Sequence, residues 1–302
     1  MKKTLFALAL MIIASPAAAA DKLTVMLDWF INPDHGPLYV ALERDEFEKR
    51  GLDVELIPPA DPNDPPKLVA AGRAELAISY QPQLQLMRVG TLVATPLSSL
   101  VVLADSPIKS IADLKGRKVG FSVGGFEDAL LGAMLDKHGL TLDDVKLINV
   151  NFSLSPSLMS GQVDAVIGAY RNFELNQMDL EGRPGRAFYL EEEGVPAYDE
   201  LIVVAQRENV ADPRISAFID ALEAATQYMI NHPDAAWELF IKDRKDLNDE
   251  LNRRAWRDTL PRFALRPAAL DSGRYQAFAE FLKGRGMIES IPPVESYAVE
   301  VR

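Results

Sequence analysis

The side chains best suited to chemistry fall in four short stretches. Trp29, Asn32 and His35 follow one run of β-forming residues, and Tyr80 and Gln81 follow another. Ser122, Gly124, Gly125 and Phe126 make the third group, and Tyr170, Arg171, Asn172 and Glu174 the fourth. Rings, amides and a carboxylate together suit a small, flat, nitrogen-bearing ligand. The rings stack on it, and Glu174 accepts hydrogen bonds from an amino-bearing ring edge. Gly124-Gly125 opens a helix, whose first N–H groups lack intrahelical partners and can donate. Any one of these residues could equally serve loop packing, so their shared placement carries the argument.

No catalytic constellation accompanies them. His35, His138 and His232 lie far apart, with no His-x-x-x-His pair for zinc and no Gly-x-Ser-x-Gly elbow. Gly124-Gly125 lacks the Lys-Ser/Thr of a phosphate-binding P-loop. Asp143-Asp144 and Glu191-Glu192-Glu193 read as solvated surface. The 302 residues contain no Cys, which removes disulfides, thiolate nucleophiles and iron–sulfur clusters. With 44 acidic against 32 Lys and Arg residues, the net charge of −12 argues against nucleic acid or an anionic membrane surface as partner.

The elements that must position these groups alternate. Leu23–Asp28, Leu52–Ile57 and Leu76–Tyr80 read as strands, separated by helical patterns that close at Gly51 and Gly72. A second series holds strands at Arg117–Ser122, Val145–Val150 and Ala165–Tyr170, with a helix over about Phe126–His138. Such alternation implies βαβ units and mostly parallel sheets. The four chemical groups then sit at strand C-termini, the edge where open α/β sheets bind ligands. Gly72-Arg73-Ala74-Glu75-Leu76-Ala77-Ile78 echoes Gly161-Gln162-Val163-Asp164-Ala165-Val166-Ile167, as two lobes on one plan would. After a strand at Leu201–Ala205 the chain turns helical, over about 213–229, 233–240 and 271–285. Residues 1–20 carry Lys2-Lys3, an apolar run over Leu5–Ala14 and small residues to Ala20. This is the pattern of a cleaved secretory signal, too short to span a bilayer, with no Cys for lipid attachment.

Four segments carry a family resemblance. Leu27-Asp28-Trp29-Phe30-Ile31-Asn32-Pro33-Asp34-His35-Gly36-Pro37-Leu38-Tyr39-Val40-Ala41, Phe47-Glu48-Lys49-Arg50-Gly51-Leu52-Asp53-Val54-Glu55, Asp113-Leu114-Lys115-Gly116-Arg117-Lys118-Val119-Gly120 and Gly168-Ala169-Tyr170-Arg171-Asn172-Phe173-Glu174 resemble the family of periplasmic pyrimidine-precursor-binding proteins of ABC importers and eukaryotic thiamine-pyrimidine synthases. The likeness covers essentially residues 22–302. It implies a two-lobe type-2 periplasmic-binding-protein fold joined by two crossovers, with ligand in the cleft. Lobe one is expected over 21–103 and 199–302, and lobe two over 104–198. Carried over, Trp29 and Tyr80 stack on the ligand, Asn32 and the Gly124-Gly125 loop make polar contacts, and Glu174 binds an aminopyrimidine edge.

The resemblance implies a monomeric periplasmic binding protein, neither membrane-inserted nor nucleic-acid-binding and needing no cofactor. It would deliver a thiamine pyrimidine, hydroxymethylpyrimidine or a formylaminopyrimidine, to the permease of an ABC importer. Riboflavin, a sulfonate or nitrate are rival solutes. The synthase branch is a rival activity: His35 lies in the context of its sacrificial histidine, but that branch carries a cysteine-rich iron motif and this chain has no Cys. The connection Gln81–Gly90 is shorter than expected between strands, which bears on how Gln81 is placed.

Overall fold

Leu23, Val25 and Leu27 are buried, and Leu52 and Val54 alternate with exposed neighbours, so the first two extended runs pair over a common core. The computed structural model describes residues 20–81 and 86–301. The expected leader, apart from Ala20, falls outside the described residues, as does the 82–85 part of the short connection. Strands β1 (Asp21–Met26), β2 (Leu52–Ile57), β3 (Leu76–Ser79) and β4 (Met87–Val93) belong to one sheet. Strands β5 (Ser98–Leu103), β6 (Lys118–Phe121), β7 (Lys146–Asn149), β8 (Ala165–Tyr170) and β9 (Gly185–Tyr189) form a second, and β10 (Leu201–Ala205) returns to the first.

The sheets have the same plan, in the orders β2-β1-β3-β10-β4 and β7-β6-β8-β5-β9. In each, the first three strands are parallel and the fourth is antiparallel to both neighbours. The expected mostly parallel sheets are therefore mixed. The reversed strands, β5 and β10, are those that follow the two passages between sheets, at 94–97 and 190–200. The first passage precedes Ser98–Leu103, so that strand belongs to the second sheet, not to lobe one as expected. Composition gives little warning, because Leu100–Leu103 is as apolar as the lobe-one strands.

The repeated motif has a structural meaning. Gly72 and Gly161, at φ of 67° and 78°, each turn a helix into the third strand of a sheet. The acid that follows ties that strand to its neighbour: Glu75 Oε2 accepts from Thr24 N at 2.8 Å, and Asp164 Oδ2 from Lys118 N at 2.8 Å.

Helices α1 (Gly36–Glu43) and α2 (Pro65–Ala70) flank the first sheet. Helices α3 (Glu127–Lys137), α4 (Leu154–Met159) and α5 (Glu174–Leu180) flank the second. The C-terminal part adds α6 (Pro213–Asn231), α7 (Pro233–Ile241), α8 (Glu250–Thr259) and α9 (Ser272–Gly284) to lobe one. Helix α8 is strongly polar, which hides it from an apolar-stripe reading, yet it supports the site. A Cβ at Gly36 would stand 2.6 Å from Met229 Cε and 2.9 Å from the Trp256 ring, so only glycine lets the start of α1 seat on α8. Trp256 in turn packs on Trp237 and Phe240, at ring separations of 5.6 and 5.3 Å.

Trp256→Ala is expected to cost about 3–5 kcal/mol, the usual toll of emptying a buried aromatic site. Urea unfolding checks this, and an unchanged midpoint would show that α8 does not hold the start of α1.

Candidate functional site

Between the lobes lies a cavity of about 30 Å³, lined by Asp28, Trp29, Asn32, Asp34 and Tyr80 from lobe one and by Phe126, Glu127, Leu154, Gly168, Tyr170, Phe173 and Glu174 from lobe two. The free space is small, and parting of the lobes is the route by which a ligand enters. The lobes meet in a closed arrangement. Tyr80 and Phe126 stack across the cleft, rings 4.5 Å apart and within 4° of parallel, and Trp29 meets Phe152 edge-on at 4.6 Å. Asn63 clasps the far wall twice: its Oδ1 accepts from Gly124 N at 3.0 Å and its Nδ2 donates to the Ser122 carbonyl at 3.1 Å. Asn172 Nδ2 reaches Asp34 Oδ1 and Thr259 Oγ1, both at 2.6 Å. At the passages, buried Glu200 accepts from Leu97 N, Ser98 N, Ser98 Oγ and Tyr198 Oη, joining the two crossover segments.

Four carboxyl groups face this cavity, and no Lys or Arg is among its lining residues. Asp28 is held on both oxygens: His35 Nε2 lies 2.9 Å from Oδ1, and the Tyr80 hydroxyl donates to Oδ2 at 2.9 Å. The other His35 nitrogen, Nδ1, accepts from Asn32 N at 3.4 Å, so Nε2 carries the hydrogen and donates to Asp28. Burial pushes Asp34 up to about 6, against hydrogen bonds from Thr259 and Asn172 that lower it. Burial likewise raises Glu174 to about 7 and Glu127 to about 8, and the neighbouring Glu174 and Glu200 add repulsion at Glu127.

Glu127 and Glu174 occupy matching places. Each is the first residue of a helix, each follows a phenylalanine, and each folds its carboxyl back onto the preceding loop. Glu127 Oε2 accepts from Ser122 N and Glu174 Oε2 from Tyr170 N, both at 2.7 Å. Gly168 makes room for the first of them. Its φ is 89°, and a Cβ there would lie 2.2 Å from the Glu127 carboxyl carbon. A substitution at Gly168 would therefore meet backbone strain and a carboxyl together.

Comparison with known proteins follows from this geometry. Residues 32–236 match the family described as NMT1/THI5 like. The chain belongs to the NMT1/THI5-like family. Within reach of it are a Haemophilus influenzae protein provisionally named for thiamine biosynthesis, 54% identical over 295 residues (95% of this chain, 94% of the relative), and a formylaminopyrimidine-binding protein of Halalkalibacterium halodurans, 35% identical over 245 residues (78% and 74%). Among solved structures, the alkanesulfonate-binding protein SsuA of Xanthomonas axonopodis superposes with a TM-score of 0.72 at 17% identity, covering 93% of this chain and 99% of that one. The two-lobe fold is that of type-2 periplasmic binding proteins. No helix among the described residues is long and apolar enough to cross a membrane.

Within this family member, six of the residues singled out in the sequence line the cavity: Trp29, Asn32, Tyr80, Phe126, Tyr170 and Glu174. Five do not. His35 is fully buried behind Asp28. Ser122 turns its hydroxyl to the Asn151 carbonyl. Gly124 and Gly125 sit at the exposed rim, where Gly124 N is taken by Asn63, and the amide of Ser122 is taken by Glu127. The expected free donors of this helix start are thus partly spent on the protein's own groups. Asn172 bridges Asp34 and Thr259 beside the cavity. Gln81 is buried, its Oε1 accepting from Asp199 N. Asp28, Asp34 and Glu127 were missed. The recurrent Phe-Glu pair at 126–127 and 173–174 was the available signal for Glu127.

Carboxyls raised by burial bind more protons folded than unfolded, so stability falls as pH climbs from the ordinary value of 4.5 through the raised values of about 7 and 8. The ligand-free protein is expected to melt at a progressively lower temperature from pH 5 to pH 8, and Glu127→Gln should flatten part of that slope. A melting temperature that rises across this range would contradict the burial of these groups.

Proposed function

We propose that the protein captures a thiamine-type 4-aminopyrimidine, such as hydroxymethylpyrimidine or a formylaminopyrimidine, and hands it to the permease of an ABC importer in the periplasm. The observation that carries this is the cavity wall: four carboxyl groups, five aromatic side chains from Trp29, Tyr80, Phe126, Tyr170 and Phe173, and no basic side chain. The edge of a 4-aminopyrimidine offers an amine donor beside a ring-nitrogen acceptor. A carboxyl that holds its proton near neutral pH, as Glu174 does, matches both with its carbonyl oxygen and its hydroxyl. The relation to a formylaminopyrimidine-binding protein supports the same ligand class.

The wall disfavours the rivals. Sulfonate or nitrate would enter a cavity of acids with no cation to pair it. Riboflavin is a three-ring system and asks for far more opening than a single ring. A sacrificial role for His35 is opposed by its place: the side chain is buried, engaged on both ring nitrogens and outside the cavity lining. Binding closes the lobes by contacting both, and the closed surface is what a permease would read.

Thermal unfolding against hydroxymethylpyrimidine, formylaminopyrimidine, thiamine, riboflavin, taurine and nitrate tests the reading. A true ligand at about 100 times its Kd adds roughly 2.7 kcal/mol, a shift of several degrees for a chain of this size. The shift is expected with the pyrimidines, and Glu174→Leu should weaken it by about 1–3 kcal/mol, the value of two hydrogen bonds between neutral groups. A shift with taurine or nitrate alone would overturn the ligand class.

A further inference from the structure

The cavity is rich in acceptors and poor in donors. Each of its four carboxyls already receives two donors from the protein: His35 and Tyr80 on Asp28, Asn172 and Thr259 on Asp34, the Ser122 and Val123 amides on Glu127, and the Tyr170 and Glu174 amides on Glu174. A carboxylate has about four acceptor positions, so capacity is left on every one. The groups also sense each other in sequence: Asp28 raises Asp34, Asp34 raises Glu174, and Glu174 and Glu200 raise Glu127. Nothing basic stands among the lining residues to balance them. One edge of a neutral pyrimidine satisfies one carboxyl. The other three gain more from an arm rich in donors than from a neutral, acceptor-bearing one. The buried Tyr170 hydroxyl, on the same wall, has no hydrogen-bond partner among the described residues and is open to a further ligand group.

We infer that the preferred ligand is a cation: a flat aminopyrimidine whose short side arm ends in a protonated amine, with the ring edge on Glu174 and the ammonium group among Glu127, Asp28 and Asp34. This rests on the pyrimidine reading above and narrows it. An ammonium group brings three donors and a positive charge into an enclosed site where charge-assisted hydrogen bonds are strongest. It takes over the balancing role of the protons that burial keeps on the carboxyls, above all on Glu127, which is held at about 8. Binding at neutral pH therefore expels a proton. The arm explains why lobe two contributes two helix-start glutamates where recognition of a single ring edge needs one.

The test is calorimetric titration of the purified protein at pH 7 with three 4-amino-2-methylpyrimidines that differ only at position 5: aminomethyl, hydroxymethyl and formylaminomethyl. Each is run in two buffers of different protonation enthalpy, so that proton exchange is read directly. The aminomethyl compound is expected to bind roughly tenfold or more tighter than the other two, in line with the gain of a charge-assisted pair. It should release about one proton per ligand, the linkage expected when a cation replaces a carboxyl proton. Glu127→Gln should remove most of that preference and most of the proton release, and the wild-type comparison stands by itself if the variant does not fold. Equal or weaker binding of the amine, or tight binding without proton release, overturns this inference and leaves the pyrimidine reading intact. Silence toward all three compounds overturns both.

Discussion

Four carboxyl groups enclosed between two lobes, with no Lys or Arg among the lining residues, is the constraint around which this structure is built. Isolated buried carboxylates are costly, so such groups either keep their protons or are held by donors. Both devices are visible. His35 and Tyr80 hold Asp28 from behind and from across the first sheet, while Glu127 and Glu174 are tied to strand-end amides and pushed up by burial. A wall of this kind selects for donors and positive charge.

The scaffold meets that constraint by repetition. Each lobe brings strands whose C-terminal ends face the cleft, and each closes a helix-to-strand turn with a glycine followed by an acid that binds the neighbouring strand. Lobe two uses one strand–loop–helix device twice, ending in Phe126-Glu127 and Phe173-Glu174. Lobe one supplies the Asn32–His35 turn, seated on Trp256 through Gly36. The passages between sheets are locked together by Glu200. Opening the cleft therefore leaves each wall intact and breaks contacts that lie between lobes: the Asn63 clasp, the Asn172 bridge and the Tyr80–Phe126 stack.

Much of this was legible because short-range rules govern it. Alternating strands and helices, helix-ending glycines and the echo at 72–78 and 161–167 specified two lobes on one plan, and strand ends located Trp29, Asn32, Tyr80, Phe126, Tyr170 and Glu174 on the cavity wall. What escaped depends on distant partners. Ser98–Leu103 joins the second sheet because β8 and β9 are there to pair with it, which its own apolar sequence does not say. Asp28 and Asp34 looked like a strand end and a turn acid, since the partners that give them meaning, Tyr80, Asn172 and Thr259, are distant in the chain. His35 follows a strand end and was expected among the ligand-site residues, but its burial behind Asp28 is a tertiary fact. Gly124 and Gly125 carried the sequence signature of a ligand loop, and Asn63 from the other lobe occupies Gly124 N instead.

The central claim is that a ring edge shares one proton with a buried carboxyl. The affinity for hydroxymethylpyrimidine between pH 7 and pH 9 tests it most directly. As Glu174 loses its proton, at about 7, the binding-competent form becomes scarce. Affinity should then fall with rising pH, approaching about tenfold per unit at the alkaline end, as linkage to a single proton requires. Affinity that stays level or rises over this range would contradict recognition by a protonated carboxyl.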